Sequence, residues 1–287
     1  MRPRQLPPRL APVALVLAAA CGGGAEPGPA APEPAPERRG VPGFDTRTYP
    51  GDDVMAAWLD ASPYRWVGYY LPAPCYTGAS WEGKRATLER MGWGTAVLFI
   101  GEQDWPDAET ADSAGLRPPT DSLARERDRE RHRAPADAGE GARCTSANLT
   151  GERGREDGRA AARAARAEGF EPGTVVYLDV EPVESVSDSL ARYVEGWTAA
   201  LVDAGFEPGL YAHARNAETL RALMVEAAGA EPRLWVASPR GFNLRRGPAE
   251  SGYRANIWQG VLDIDESWGG TTLRIDANVA DRADPSG

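Results

Sequence analysis

Thr174-Val175-Val176-Tyr177-Leu178-Asp179-Val180-Glu181 is an apolar, β-rich run that closes on two carboxylates. β-Branched and aromatic residues suit a pleated, half-buried surface. Strand side chains alternate, so Tyr177, Asp179 and Glu181 point the same way. Burying a carboxylate is unfavourable unless it is paired, hydrogen-bonded or opened to solvent at a site. The run therefore reads as a buried strand whose far end carries chemistry.

Runs of the same kind lie on both sides of it, at 41–46, 66–71, 95–100, 209–213, 234–238, 255–259 and 273–278. They are near-continuous rather than cleanly alternating, as parallel strands buried on both faces should be. Helical patterns fall between them. Residues 52–61 start after Gly51-Asp52 and end before Pro63, 82–91 are compact and amphipathic, and 155–168 is rich in Ala, Arg and Glu, with Gly169 placed as a C-cap. Residues 187–204 follow a Ser187 cap and carry Leu190, Val194, Trp197 and Leu201 at helical spacing, and 216–228 begins on Asn216 as a cap. No helix is visible before the last two runs, and 240–254 reads as a loop. Eight strands interleaved with helices predict an α/β fold of the (β/α)8 TIM type, irregular in places, whose usual size is about 250 residues. An open doubly wound sheet is the alternative. It would usually carry a Gly-rich phosphate loop after its first strand, and nothing of that form follows Asp45.

In a closed barrel the first and last strands are neighbours and the fourth faces them across the mouth. Asp45 ends the first run and Asp276 lies in the last, so Asp45, Asp179, Glu181 and Asp276 are expected to converge at the C-terminal face, where barrel enzymes hold their sites. Crowded like charges raise at least one pKa, which supplies a protonated acid at neutral pH. That is the apparatus of glycoside cleavage: one carboxyl protonates the leaving oxygen while another stabilises the cationic transition state or activates water. A structural polar network at the rim is the competing account. Tyr70, Tyr211, Trp235 and Trp258 fall at or near strand ends, where each either stacks on a sugar ring or packs the core. His213 shares the face of Tyr211 and is either a partner for a carboxylate or a satisfied rim histidine. Gln259 and Asn278 are placed to meet a sugar hydroxyl or amide.

The remainder of the chain bounds this reading. It has 287 residues, 42% hydrophobic and 26% charged, which excludes a disordered chain and a membrane bundle. Lys+Arg number 32 against Asp+Glu 42, a net charge of −10 that argues against non-specific nucleic-acid binding. Only two His are present, and no metal or cofactor is expected. Residues 1–21 read as an export leader: Arg2, Arg4 and Arg9, a short apolar run, then Leu17-Ala18-Ala19-Ala20-Cys21. The last five resemble a lipobox with Leu four places before the Cys, so Cys21 is a candidate for lipidation and membrane anchoring, the alternative being an ordinary cleaved signal. Residues 22–42 form a Pro/Gly/Ala-rich linker, and 43–281 the barrel domain, expected as a monomer. Cys75 and Cys144 then remain as an even pair in an exported protein, either a disulfide or two free thiols. Residues 104–150 break the rhythm with a charged run from Arg125 to Arg133, read as a solvated insertion or as a flap over the mouth.

Gly43-Phe44-Asp45-Thr46, Tyr177-Leu178-Asp179-Val180-Glu181, Leu234-Trp235-Val236-Ala237-Ser238, Ile257-Trp258-Gln259 and Ile275-Asp276-Ala277-Asn278 recur in order. Together they resemble the glycoside-hydrolase-like domain of secreted actinobacterial envelope proteins, formerly a domain of unknown function. That domain is similar to the family 25 glycoside hydrolases, lysozymes on a (β/α)8-type barrel. The resemblance runs from Val41 to Ala280 apart from the 104–150 insertion. It implies that Glu181 is the general acid, that Asp179 tunes it and helps stabilise the transition state, and that Asp45 and Asp276 line the subsite of the cleaved sugar. The implied substrate is peptidoglycan glycan, cut between N-acetylmuramic acid and N-acetylglucosamine. Two other readings of the acids stand beside this one. One is a catalytically inactive envelope glycan-binding module that depends on Trp258 and Tyr211. The other is a phosphodiesterase-like barrel holding a divalent cation.

Overall fold

A computed structural model describes residues 40–76, 78–105 and 144–287, all within one compact unit, Glu37–Gly287. The leader, Cys21 and nearly all of the linker lie outside the described residues, as does the Arg125–Arg133 run. The elements run β1 (Val41–Asp45), α1 (Asp52–Ala61), β2 (Trp66–Tyr70), α2 (Arg85–Met91), β3 (Gly94–Ile100), α3 (Gly151–Ala167) and β4 (Val175–Val180). They continue through α4 (Asp188–Asp203), β5 (Glu207–His213), α5 (Ala214–Ala228), β6 (Arg233–Ala237), β7 (Ile257–Trp268) and β8 (Thr271–Ala280). The strands close into one barrel in sequence order.

The expected barrel is therefore present, with one departure. β1 to β7 pair in parallel, but β8 is antiparallel to both β7 and β1. A parallel return needs a crossover of a dozen or more residues. Here β7 and β8 are joined by Gly269-Gly270 alone, with φ of 58° and 81°. Positive φ at both positions is what a tight type I′ hairpin requires, and glycine adopts it without strain. Between β6 and β7 there is only a short 3₁₀ turn, Pro248–Ser251, in place of a helix.

Three helix starts differ from expectation, the first being α2, which begins at Arg85 rather than at residue 82. α3 begins at Gly151, capped by the Thr150 side chain, which accepts from the Arg153 amide. Gly151, Gly154 and Gly158 disguise that start because glycine is a poor helix former. Contact with α4 explains them: a Cβ on Gly154 would lie 2.1 Å from the Tyr193 carbonyl oxygen, and one on Gly158 would lie 2.4 Å from that of Trp197. α5 begins at Ala214 with His213, not Asn216, as its cap. α4 follows the Ser187 cap, and Leu190, Val194, Trp197 and Leu201 are all buried.

Inside the barrel, the Trp235 ring meets Trp66 and Tyr177 edge-on at 5.6 and 5.8 Å. Residues 284–287 close the end away from the site, where Asp284 and Ser286 side chains accept from the Thr95 and Val97 amides. Cys75 and Cys144 form a disulfide with 5.7 Å between their Cα atoms.

Candidate active site

At the C-terminal end of the barrel strands lies an opening of about 420 Å³. Asp45, Asp179, Glu181 and Asp276 all line it, with Tyr70, Tyr211, His213 and Trp235. The antiparallel course of β8 accounts for Asp276: its Cα pairs with that of Asp45, so the middle of β8 lies level with the top of β1.

Asp45 is held by three side-chain donors. Tyr70 Oη donates to its Oδ1 at 2.8 Å, while Gln259 Nε2 and Asn278 Nδ2 donate to Oδ2 at 3.0 and 2.8 Å. Two of those donors are oriented in turn: Tyr211 Oη donates to Gln259 Oε1 at 2.7 Å, and Trp235 Nε1 donates to Asn278 Oδ1 at 2.9 Å. Burial raises the Asp45 pKa, and the Asn278, Tyr70 and Gln259 hydrogen bonds oppose it. These hydrogen bonds favour the charged form, but burial is the larger effect and the Asp45 pKa stays raised.

Asp179 is shifted further in the same direction. Its Oδ1 is buried and has no hydrogen-bond partner among the described residues. Burial, then the neighbouring Glu181 and Asp45 charges, push its pKa well above the carboxylate range, with Arg47 opposing. Glu181, one residue past β4, is less buried and faces the same opening. Asp276 Oδ1 accepts from the Asp263 amide at 2.6 Å. A register shift in β7 puts Asp263 at φ 50°, a left-handed conformation that Asp tolerates, and so turns its N–H onto Asp276.

The expected substrate-binding residues divide. Tyr70, Tyr211 and Trp235 line the opening, and burial raises the pKa of both tyrosines well above 10.0, so each stays a donor. His213 also lines it, but its Nδ1 accepts from the Arg215 amide at 3.1 Å as the α5 cap, and burial and Arg215 lower its pKa below 6.5. Gln259 and Asn278 are buried beneath the opening and serve Asp45. Trp258 does not reach the opening. It faces the other side of β7, donates from Nε1 to the Ser238 carbonyl at 2.7 Å and meets the Phe242 ring at 5.2 Å. Its place is in packing, and the binding-module reading loses one of its two anchors.

Sequence reading missed Gln103, Arg47, Asp263 and Arg274. Arg47, Asp263 and Arg274 line the opening. Gln103 is buried behind β4, where it bonds to the backbone of Asp179 and Glu181. The polar stretch Gly101-Glu102-Gln103-Asp104 at the end of β3 is the signal that would have found Gln103, since barrel sites are built at that end of the strands. Among the described residues, three metal-ligating side chains come within 4.8 Å of one another only at Cys75, Glu102 and Cys144, whose two sulfurs are joined in the disulfide. The four acids of the opening do not form such a group.

The sequence matches the Rv2525c-like, glycoside hydrolase-like domain over residues 56–280. No curated protein matches it. Among solved structures, an uncharacterized B. stearothermophilus protein is similar at TM-score 0.52 and 16% identity, over 85% of this chain and 97% of that one. The modular autolysin LytC from Streptococcus pneumoniae is similar at TM-score 0.50 and 14% identity, over 84% of this chain and 46% of that one. LytC in complex with a synthetic peptidoglycan ligand gives TM-score 0.50 and 12% identity, with the same coverage. At these identities the likeness is one of fold.

Proposed function

The chain belongs to the Rv2525c-like, glycoside hydrolase-like domain family, and from that premise we propose that it is a glycosidase acting on cell-wall glycan. The observation that carries this is the contrast between two buried carboxyls at one opening: Asp45 with three donors, Asp179 with an Oδ1 that has none among the described residues. Environments that drive the pKa values of neighbouring acids apart mark acid–base assignments.

In the proposed reaction the Asp179–Glu181 pair holds a proton at neutral pH. Glu181, the more accessible member, gives it to the glycosidic oxygen as the bond to the anomeric carbon breaks. Asp45, oriented by Tyr70, Gln259 and Asn278, stabilises the positive charge that develops on the sugar ring, with Asp276 beside it. Water supplies hydroxyl to the anomeric carbon, and its proton returns to the pair. The peptidoglycan ligand held by LytC supports a wall glycan as the substrate class. The leader expected from the sequence fits a substrate outside the cytoplasmic membrane.

The test is release of reducing ends from purified peptidoglycan. Glu181→Gln is expected to lower turnover by about 10²–10⁴-fold with the fold retained by circular dichroism. A wild-type protein that releases none from any bacterial wall sinks the proposal and leaves a glycan-binding barrel.

A further inference from the structure

β3 and β4 pair in parallel up to the rung Ile100–Asp179. Beyond it β3 ends, yet β4 continues to Val180, with Glu181 the next residue of the chain. On its other side Val180 still has a partner, Ala212 of β5. On the β3 side the next backbone rung is missing.

The Gln103 side chain fills that gap. Its Nε2 donates to the Asp179 carbonyl at 2.9 Å, and its Oε1 accepts from the Glu181 amide at 3.0 Å. In a parallel ladder, a residue facing position j donates to the carbonyl of j−1 and accepts from the amide of j+1. With Val180 as j, the carboxamide makes both bonds that a peptide group of β3 would make. The side chain is 1% exposed, and Nε2 also donates to the Gly101 carbonyl at 3.1 Å. The chain is pinned on either side of it. Tyr193 Oη accepts from the Glu102 amide at 3.0 Å, and Ser187 Oγ donates to Asp104 at 2.7 Å. Arg153 meets Glu102 at 3.0 Å.

We propose that Gln103 is the positioning residue for Glu181: its carboxamide completes the ladder and so fixes where the acid's backbone, and hence its carboxyl, stands over the opening. This rests on the glycosidase reading. A misplacement of about 1 Å in a reacting group can lower the rate by about 10²-fold without touching substrate.

Two variants of the full chain test it. Gln103→Met keeps the length and removes both hydrogen bonds. It is expected to lower kcat on purified peptidoglycan by about 10–100-fold while KM stays within about twofold. Gln103→Glu keeps donor and acceptor only while its new carboxyl is protonated. Its activity relative to wild type is expected to recover as pH falls, a change of profile that loss of packing alone would not give. Should Gln103→Met fail to fold, Gln103→Glu carries the test. Hydrogen exchange at the Glu181 amide is the readout independent of turnover: protected in wild type, and faster by about tenfold or more in either variant at neutral pH. Unchanged exchange, or variants with wild-type kcat and pH profile, overturns the proposal. A wild-type chain that cuts no glycan, yet loses Glu181 protection on Gln103→Met, removes the hydrolase and keeps the clamp.

Discussion

Asp179 is a carboxyl set where its charge works against the fold. Its folded-state pKa lies above the unfolded value of 3.8 because of burial and the charges of Glu181 and Asp45. For a raised acid, the stabilising contribution is fully present below the unfolded pKa and is lost as pH rises through the folded one. At neutral pH the wild type therefore carries a penalty that a neutral isostere lacks. Asp179→Asn is expected to raise Tm by about 2–4 °C near pH 7.5 while turnover falls, and the gain should fade toward about pH 3. Scanning calorimetry at both pH values checks this. An Asn variant less stable than wild type at neutral pH would mean that Asp179 is held by bonds the structure does not contain. How far single residues were legible follows from alternation. Asp179 and Glu181 are two apart and share a face, as their spacing dictates. Trp258 and Gln259 are adjacent and cannot share one, and a change of one position on a strand is a change of side. Gln103 was hidden because the groups it serves are 76 and 78 positions away.

Among the elements, the strands were the more legible. Burial on both faces writes itself into continuous apolar runs, and those runs found β1 to β6 and the barrel end of β7 and β8. The outer half of the β7–β8 hairpin, beyond the barrel wall, has no such signature; its residues alternate between half-buried and exposed. Trp268-Gly269-Gly270-Thr271 was the visible clue to its sharp return. The start of α3 was obscured for another reason. Its glycines are chosen for the approach of α4 rather than for helix propensity. Gly158→Ala is expected to destabilise the protein by about 2–3 kcal/mol, because the added methyl meets the Trp197 carbonyl, a backbone atom with little room to move. Chemical denaturation measures it. The same substitution on an exposed helix face would stabilise, by up to about 1 kcal/mol, so even the sign of the effect tests the packing.

Across the whole molecule, the Cys75–Cys144 bond joins positions 69 apart in sequence. It ties the loop after β2, at the lip of the opening, to the segment leading into α3. By the chain-entropy account, a loop of that size adds about 4 kcal/mol to stability. Urea unfolding of the oxidised protein against a Cys75→Ala/Cys144→Ala variant should show a loss of that order, and a difference below about 1 kcal/mol would mean the crosslink leaves the unfolded chain nearly as free as before.

The hairpin at the end of the barrel has an effect on folding order. Asn278, which holds Asp45, stands 233 positions from it. Contacts of such separation are the slowest for a chain to find, since their loop must close before they bring any return. Because β8 supplies both Asn278 and Asp276, no nascent or truncated chain that stops short of it can assemble the four-acid ring. On the proposed function, cleavage of glycan thus begins only once the first and last strands have met.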